Sequence, residues 1–566
     1  KTTGEYLMLE NISKYLTKNK LSIIFILIFA ALLTGTCIWI NSHNPILGHS
    51  YRDVYLYLIE ALRFSGVEIG GYQYINYLSP LIPFLTSIFF NIGFVDISTI
   101  IIISGIFYFF AITGMYCILK LKFSNKIAIF GTILYSCLII NLRWVANGTL
   151  DIPSITLVIW ALYFFIKGME TNQKYFYLAF PLAVLGFFAK YTGALVIATM
   201  CLYFLSKQSI IYNIKKYIKN IIGGVILGII TSIPFFMYFF TNNIPLGFIN
   251  QASEISSRTS TTATSGGELI GNDLFFYIKG LIYYIGSDNY IIGIIILAVI
   301  ICSTIFLIHL FISVIKQLYK ENKYETSQIS KFKVNNRILY CLLTLSIILI
   351  AFSFLTAGLF SFIYSEIIFF FACVLFIYTM NKIDINSKKF PYLGLNITMF
   401  ALFFGFLLFF SAHLTKADRY FTAMAPGFVF ISTLAINCLL ENKKINLNMR
   451  VIIPVILSVI LIISSISFLT TDRSDSLVTE EQEVVKWFDN NTDINNINIS
   501  ADRGPIYTWY FQKEVNYIQG SFTPEELNEN LLNNGSSYYI RLGEGLNLGN
   551  YTEIKSFDET IIYQRN

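Results

Sequence analysis

The stretch LSPLIPFLTSIFFNIGF, residues 78–94, decides how this chain is threaded. It is apolar, but it is short and carries Pro80 and Pro83. A helix needs about 20 apolar residues to cross a bilayer core, so this stretch either crosses or lies along the interface. Runs of crossing length recur around it, near 21–40, 97–119, 125–142, 152–168, 175–189, 191–206, 220–240, 290–315, 338–357, 362–380, 393–411, 424–440 and 451–470. Lys and Arg then decide the threading. If 78–94 does not cross, one side collects the arm 1–20 and the loops 120–126, 167–174, 207–219, 316–337, 381–390 and 441–450. That side holds 25 of the 40 basic residues, against 8 in the opposite loops outside the C-terminal tail. If 78–94 crossed, every later loop would flip and the bias would invert. The positive-inside pattern therefore predicts a juxtamembrane helix over 78–94 and a cytoplasmic basic side.

Composition agrees with this threading. The chain has 566 residues, 55% of them hydrophobic and 13% charged, with a mean hydropathy of +0.62. Soluble domains carry about 25% charged residues. So much apolar surface must go into lipid, which excludes a soluble enzyme, a nucleic-acid binder or a disordered scaffold as the whole chain. A net charge of +6 is too small to indicate a nucleic-acid partner.

The expected architecture is mainly α: a polytopic membrane protein of about 13 transmembrane helices, with juxtamembrane helices in the first external loop. Residues 1–20 form a cytoplasmic arm and 21–470 the transmembrane domain. The tail 471–566 has 16 Asp and Glu against 7 Lys and Arg, a change of composition that marks a separate domain. Its alternating patterns predict helices over 480–490, 505–512 and 524–533 and strands over 494–501 and 537–542. That is a small extracytoplasmic α/β domain. The 8 cysteines all fall within predicted spans, so they read as small core residues and not as a disulfide frame. No Walker A, GxGxxG, HExxH or CxxC pattern is present.

Ionisable residues near lipid are costly and usually have a reason. Glu366 and His309 lie deep, and Glu366 is expected to be paired within the bundle. Most of the others gather at the outer ends of spans: His43, His49, Arg52, Asp53 and Glu60, then Arg143 and Asp151. They continue with Lys190 between two short apolar runs, and with His413, Lys416, Asp418 and Arg419. Carboxylates and cations at one face suit a substrate with a phosphate at headgroup level. Moving a sugar from phosphate to a hydroxyl needs a base for the acceptor's proton and cations for the departing phosphate. A monophosphate leaving group can be served by Arg and Lys, so no cofactor is required; His43, His49 and His413 could ligate zinc with a carboxylate, but their spacing fits no strong template. Each residue also has a structural use. Asp53 and Asp151 can cap helices, and Lys190 and Arg419 can snorkel to headgroups. Tyr72, Tyr74 and Tyr77 suit an aromatic belt. Tyr283, Tyr284 and Trp509 either stack on a sugar or simply pack.

Taken in order, these features resemble the GT-C membrane glycosyltransferases over roughly residues 20–440. The branch is the one holding the protein O-mannosyltransferases and the aminoarabinose transferase of lipid A. The motifs are Asp53-Val54-Tyr55-Leu56-Tyr57 followed by Gly66, then Ser79-Pro80-Leu81, then Arg143 and Asp151-Ile152-Pro153. Gly186-Phe187-Phe188-Ala189-Lys190-Tyr191-Thr192 comes next, and Arg419-Tyr420 with Pro426 comes last. The resemblance implies a polyprenyl- or dolichyl-phosphate-linked sugar as donor and a glycan, lipid or protein acceptor. Transfer would occur on the outer face with inversion. It makes Asp53 the general base and Asp151 a second essential carboxylate. Lys190, Arg419 and Tyr420 would lie near the donor phosphate, and Tyr57 would contact substrate. Two departures stand out. Val54 replaces a Glu often found after the first Asp, so a paired carboxylate falls to Glu60 or Asp151. Leu78-Ser79 stand where the aminoarabinose transferases place a Lys, so phosphate contact shifts to Arg52, Arg143 or Lys416. A transporter or flippase would be expected to show internal repeats and mid-bilayer charges. A non-catalytic scaffold leaves the one-sided charges unexplained. The segment 253–267, rich in Ser and Thr, is expected to be a mobile loop that closes over substrate.

Overall fold

A computed structural model describes residues 2–43, 52–67, 69, 78–145, 147–207, 210–249, 269–270, 273–286, 290–324, 336–357, 362–383, 389–412, 415–442, 444–471, 476–518 and 522–566. The positions of His49, Tyr72, Tyr74, Tyr77 and His413, and the segment 253–267, lie outside the described residues, as does the side chain of Arg52.

Among the described residues ten helices are long and apolar enough to cross a membrane, from Lys20–His43 to Met449–Thr470. Asn125–Ser136 and Ile139–Val145, bent by 56° at their break, make an eleventh if the pair counts as one span. Breaking a helix frees carbonyls, and here Asn141 Nδ2 donates to one of them, the oxygen of Tyr135, at 2.8 Å.

The count of 13 differs because the runs 175–189 and 191–206 form helices below the usual crossing length, Phe176–Ala189 and Leu195–Leu205. They nevertheless match the ends of the helix Asp151–Glu170. Lys190, between them, meets Asp151, and Lys207, just after them, pairs with Glu170. Each thus runs alongside that helix from end to end, and the interruption at Lys190 lies level with its Asp151 end.

The deciding stretch forms the helix Leu81–Asn91 and ends at Gly93, whose φ of +97° is one that L side chains rarely adopt. Eleven residues span about 16 Å as helix, too little for a bilayer core of about 30 Å. Leu81, Ile82, Thr86 and Phe90 are buried while Phe84, Ile88 and Phe89 stay exposed, so one face packs on the protein and the other remains apolar and uncovered.

Strands β1 (Leu269–Ile270) and β2 (Thr415–Lys416) pair antiparallel, tying the 241–289 connection to the loop before Arg419. The tail builds one mixed sheet of β3 (Ile499–Ala501), β4 (Asn516–Tyr517), β5 (Tyr538–Leu542), β6 (Tyr551–Ser556) and β7 (Thr560–Arg565). Its order is β4-β3-β5-β7-β6. The predicted helices are present as Ser476–Asn491, Gly504–Phe511 and Pro524–Asn533, the last opened by a Thr523/Glu526 capping box. The tail does not hang free. Helix Gly504–Phe511 packs on Arg52–Phe64, with Ile506 and Trp509 buried in the same core as the membrane helices.

Candidate active site

Asp53 is the second residue of the helix Arg52–Phe64. Its Oδ2 lies 3.3 Å from Nη2 of Arg419, whose side chain is only 7% exposed. Arg419 sits in a single 3-10 turn, Asp418–Tyr420, which follows the extended residue Ala417 and leads directly into the helix Phe421–Leu440. That turn stands the guanidinium off the helix end.

Asp151 is the first residue of its own helix. Its carboxylate does not cap that helix: Oδ1 accepts from Lys190 Nζ at 2.5 Å, and the side chain is 2% exposed. Lys190 is held by local geometry. Its backbone is extended between two helices. Ser154 Oγ donates to the Gly186 carbonyl at 3.0 Å, and Gly193 passes so close that a Cβ would stand 2.5 Å from the same oxygen. Tyr191 donates to the carbonyl of Leu78 at 2.9 Å, tying this break to the stretch 78–94.

Tyr420 joins the two ion pairs. Lys190 Nζ lies 4.5 Å from its ring centroid and the Arg419 guanidinium carbon 5.2 Å, cation–π distances. Phe410 stacks on the same ring at 4.6 Å and 16°. Tyr57, one turn after Asp53, is buried. Burial raises its phenol well above the usual range, Asp53 adds to the rise, Arg419 opposes it, and Asp151 and Tyr420 add to it again. Its hydroxyl therefore feels both carboxylates.

Arg143 pairs with Asp418 at 3.1 Å, both partly exposed. Asp418 thereby enters the site, a role the sequence did not single out. Lys416 is turned to the Ser411 carbonyl at 2.8 Å. Burial holds its ammonium down to about 8, against Asp273. Glu60 accepts from Tyr238 at 2.8 Å and lies 4.0 Å from Arg63. Asp151, not Glu60, therefore joins the cluster around Tyr420. Of the three aromatic candidates for sugar stacking, Trp509 and Tyr284 are buried and Tyr283 is half exposed. Trp509 stacks on Phe90, Tyr284 lies against Phe421, and Tyr283 meets Tyr290 edge-on. Glu366 is buried, and neither oxygen has a hydrogen-bond partner among the described residues, contrary to the pairing expected of it. Among the described residues no three His, Cys, Asp or Glu side chains group as a metal site.

A multi-span bundle thus carries two ion pairs, Asp53–Arg419 and Asp151–Lys190, around the ring of Tyr420. Comparison with known proteins gives one family match over part of the chain and a likeness of fold over nearly all of it. Residues 78–238, which include Asp151 and Lys190, match the family model described as dolichyl-phosphate-mannose-protein mannosyltransferase. The structure of ArnT from Cupriavidus metallidurans bound to undecaprenyl phosphate is similar at a TM-score of 0.52 and 8% identity. That alignment covers 96% of this chain and 97% of that one. The apo form of the same protein matches with the same score and coverage at 10% identity. The Archaeoglobus fulgidus oligosaccharyltransferase in its apo form has a TM-score of 0.47 and 13% identity, over 92% of this chain and 69% of that one. No curated protein matches the sequence.

Proposed function

We propose that this protein transfers a sugar from a polyprenyl- or dolichyl-phosphate donor to an acceptor hydroxyl, with inversion, on the face that carries Asp53. One observation carries the reading: the ion pairs Asp53–Arg419 and Asp151–Lys190 share the ring of Tyr420. A donor phosphate entering between Arg419 and Lys190 competes with the carboxylates for both cations. Asp53 is then released to face the acceptor. The acceptor oxygen attacks the anomeric carbon, and the bond from that carbon to the phosphate oxygen breaks. The phosphate leaves with the electron pair, and Asp53 takes the acceptor's proton. Arg419 and Lys190 hold the charge that builds on the leaving phosphate. Asp151 keeps Lys190 aimed, and Arg143 with Asp418 lines the approach. The acceptor side is extracytoplasmic by the positive-inside bias.

The test is lipid mass spectrometry on host membranes carrying the active chain, the Asp53→Asn variant, or neither. One polyprenyl-phosphate sugar should accumulate wherever activity is missing. Identical lipid profiles in all three, with both proteins well expressed and no redundant enzyme in the host, would overturn the reading.

A further inference from the structure

At the opposite end of the helix Asp151–Glu170 lies a second charged cavity, of about 350 Å³. It is formed where helix ends converge: Lys120 closes Ser98–Lys120, Lys167 lies in the last turn of Asp151–Glu170, and Lys207 follows Leu195–Leu205. Its lining counts three lysines and one carboxylate, Glu170. Glu170 is already engaged by Lys207 and by the Tyr203 hydroxyl. The cavity wall is therefore net positive, and its size sits at the low end of small-ligand pockets, about 300–1,000 Å³.

The cavity has an apolar neighbour. A groove of about 640 Å³ runs between the later helices, lined by Leu310, Phe311, Ile350, Phe376, Phe400 and Leu434. Pro391 and Tyr392 are walls of both spaces. At this junction Lys122 donates to Asn396 at 2.6 Å and lies 5.7 Å from the Tyr392 ring centroid. A basic pocket that opens beside an apolar trough has the polarity of one amphiphile, anionic at its head and hydrocarbon below. A soluble phosphate accounts for the first space only, and a neutral lipid for the second only.

We infer that this paired cavity and groove bind one anionic phospholipid from the leaflet on the lysine-rich face, with its phosphate among Lys120, Lys167 and Lys207 and an acyl chain in the groove. Basic pockets between membrane helices recognise such headgroups through charge. This site lies a full helix length from Asp151, so it is separate from the donor site and its occupancy does not rest on the activity proposed above.

The test is native mass spectrometry of the full chain, delipidated in detergent and then offered phosphatidylglycerol, phosphatidylcholine or inorganic phosphate at equal concentration. One phosphatidylglycerol should stay bound, at least tenfold in excess over phosphatidylcholine. Lys120→Gln/Lys167→Gln should lower that retention at least tenfold, while Lys126→Gln/Lys219→Gln, two exposed lysines outside the cavity, should leave it unchanged. Retention of phosphatidylcholine to the same degree would overturn the inference. Undiminished retention in the first double variant would do the same. Retention of inorganic phosphate equal to that of the lipid would make this a free-phosphate site instead. If the double variant does not fold, the lipid preference of the unaltered chain still decides.

Discussion

Lys190 and Asp151, 39 residues apart, meet at 2.5 Å with the carboxylate almost fully buried, at the point where the chain turns between two short helices. Removing one partner of a buried ion pair leaves the other charge uncompensated, which costs about 3–5 kcal/mol, whereas removing both often costs far less. Lys190→Gln and Asp151→Asn should each lower the unfolding midpoint in detergent more than the double variant does. Equal or additive losses would show that the pair is not coupled in the folded protein.

Arg419 pairs with the proposed base. A guanidinium presents several donors in a fixed fork, and Lys does not reproduce it. Arg419→Lys should therefore keep the charge and the fold but lower transfer by roughly 10- to 100-fold, chiefly through a weaker hold on donor phosphate. Steady-state kinetics across donor concentrations check this, and an unchanged kcat/KM for the donor would remove Arg419 from the phosphate contacts.

Glu60 supplies a pH signature of its own. Its carboxyl lies in the helix Arg52–Phe64, and burial raises it from 4.5 to about 7, against the Tyr238 hydrogen bond and the Arg63 charge. The folded state therefore binds more protons than the unfolded state between pH 4.5 and 7. The stability this proton confers is present in full below 4.5 and is lost as pH rises through 7. Glu60→Gln should match the native chain near pH 4.5 and exceed it in stability at pH 8, by at most about 3 kcal/mol. Thermal melts of both chains at the two pH values provide the comparison.

The charged positions were legible in the sequence because lipid makes charge conspicuous. Lys190 interrupts two apolar runs, and Asp151 precedes Pro153 at a span start. Which partners meet was not legible, since 366 residues separate Arg419 from Asp53 and no local pattern links them. Asp418 lay inside the loop already of interest, yet only the fold brings Arg143 to it. In the tail, the helix over 524–533 was legible from its pattern, and the fold adds a Thr523/Glu526 capping box at its start. The strands β6 and β7 were not legible. Much of β6 is exposed, and its pairing to β7 is irregular between Glu553 and Lys555, which blurs the two-residue alternation. Trp509 shows the same limit from the other side: an aromatic residue in a tail reads equally as a sugar platform or as packing until its neighbour Phe90 is known.

That contact sets the last prediction. Trp509 is 6% exposed and stacks on Phe90 at 5.9 Å. The next residue, Tyr510, places its hydroxyl 3.4 Å from that of Tyr55, two residues after Asp53. The tail thus braces the helix that carries the proposed base. Truncating a buried Trp removes about 3–5 kcal/mol of packing, and here the loss falls on the junction between tail and membrane helices. Trp509→Ala should expose the tail to limited proteolysis and lower transfer. Trp509→Phe retains an aromatic face and should recover most of both. If Trp509→Ala digests like the native chain and transfers sugar at the same rate, the tail does not position Asp53.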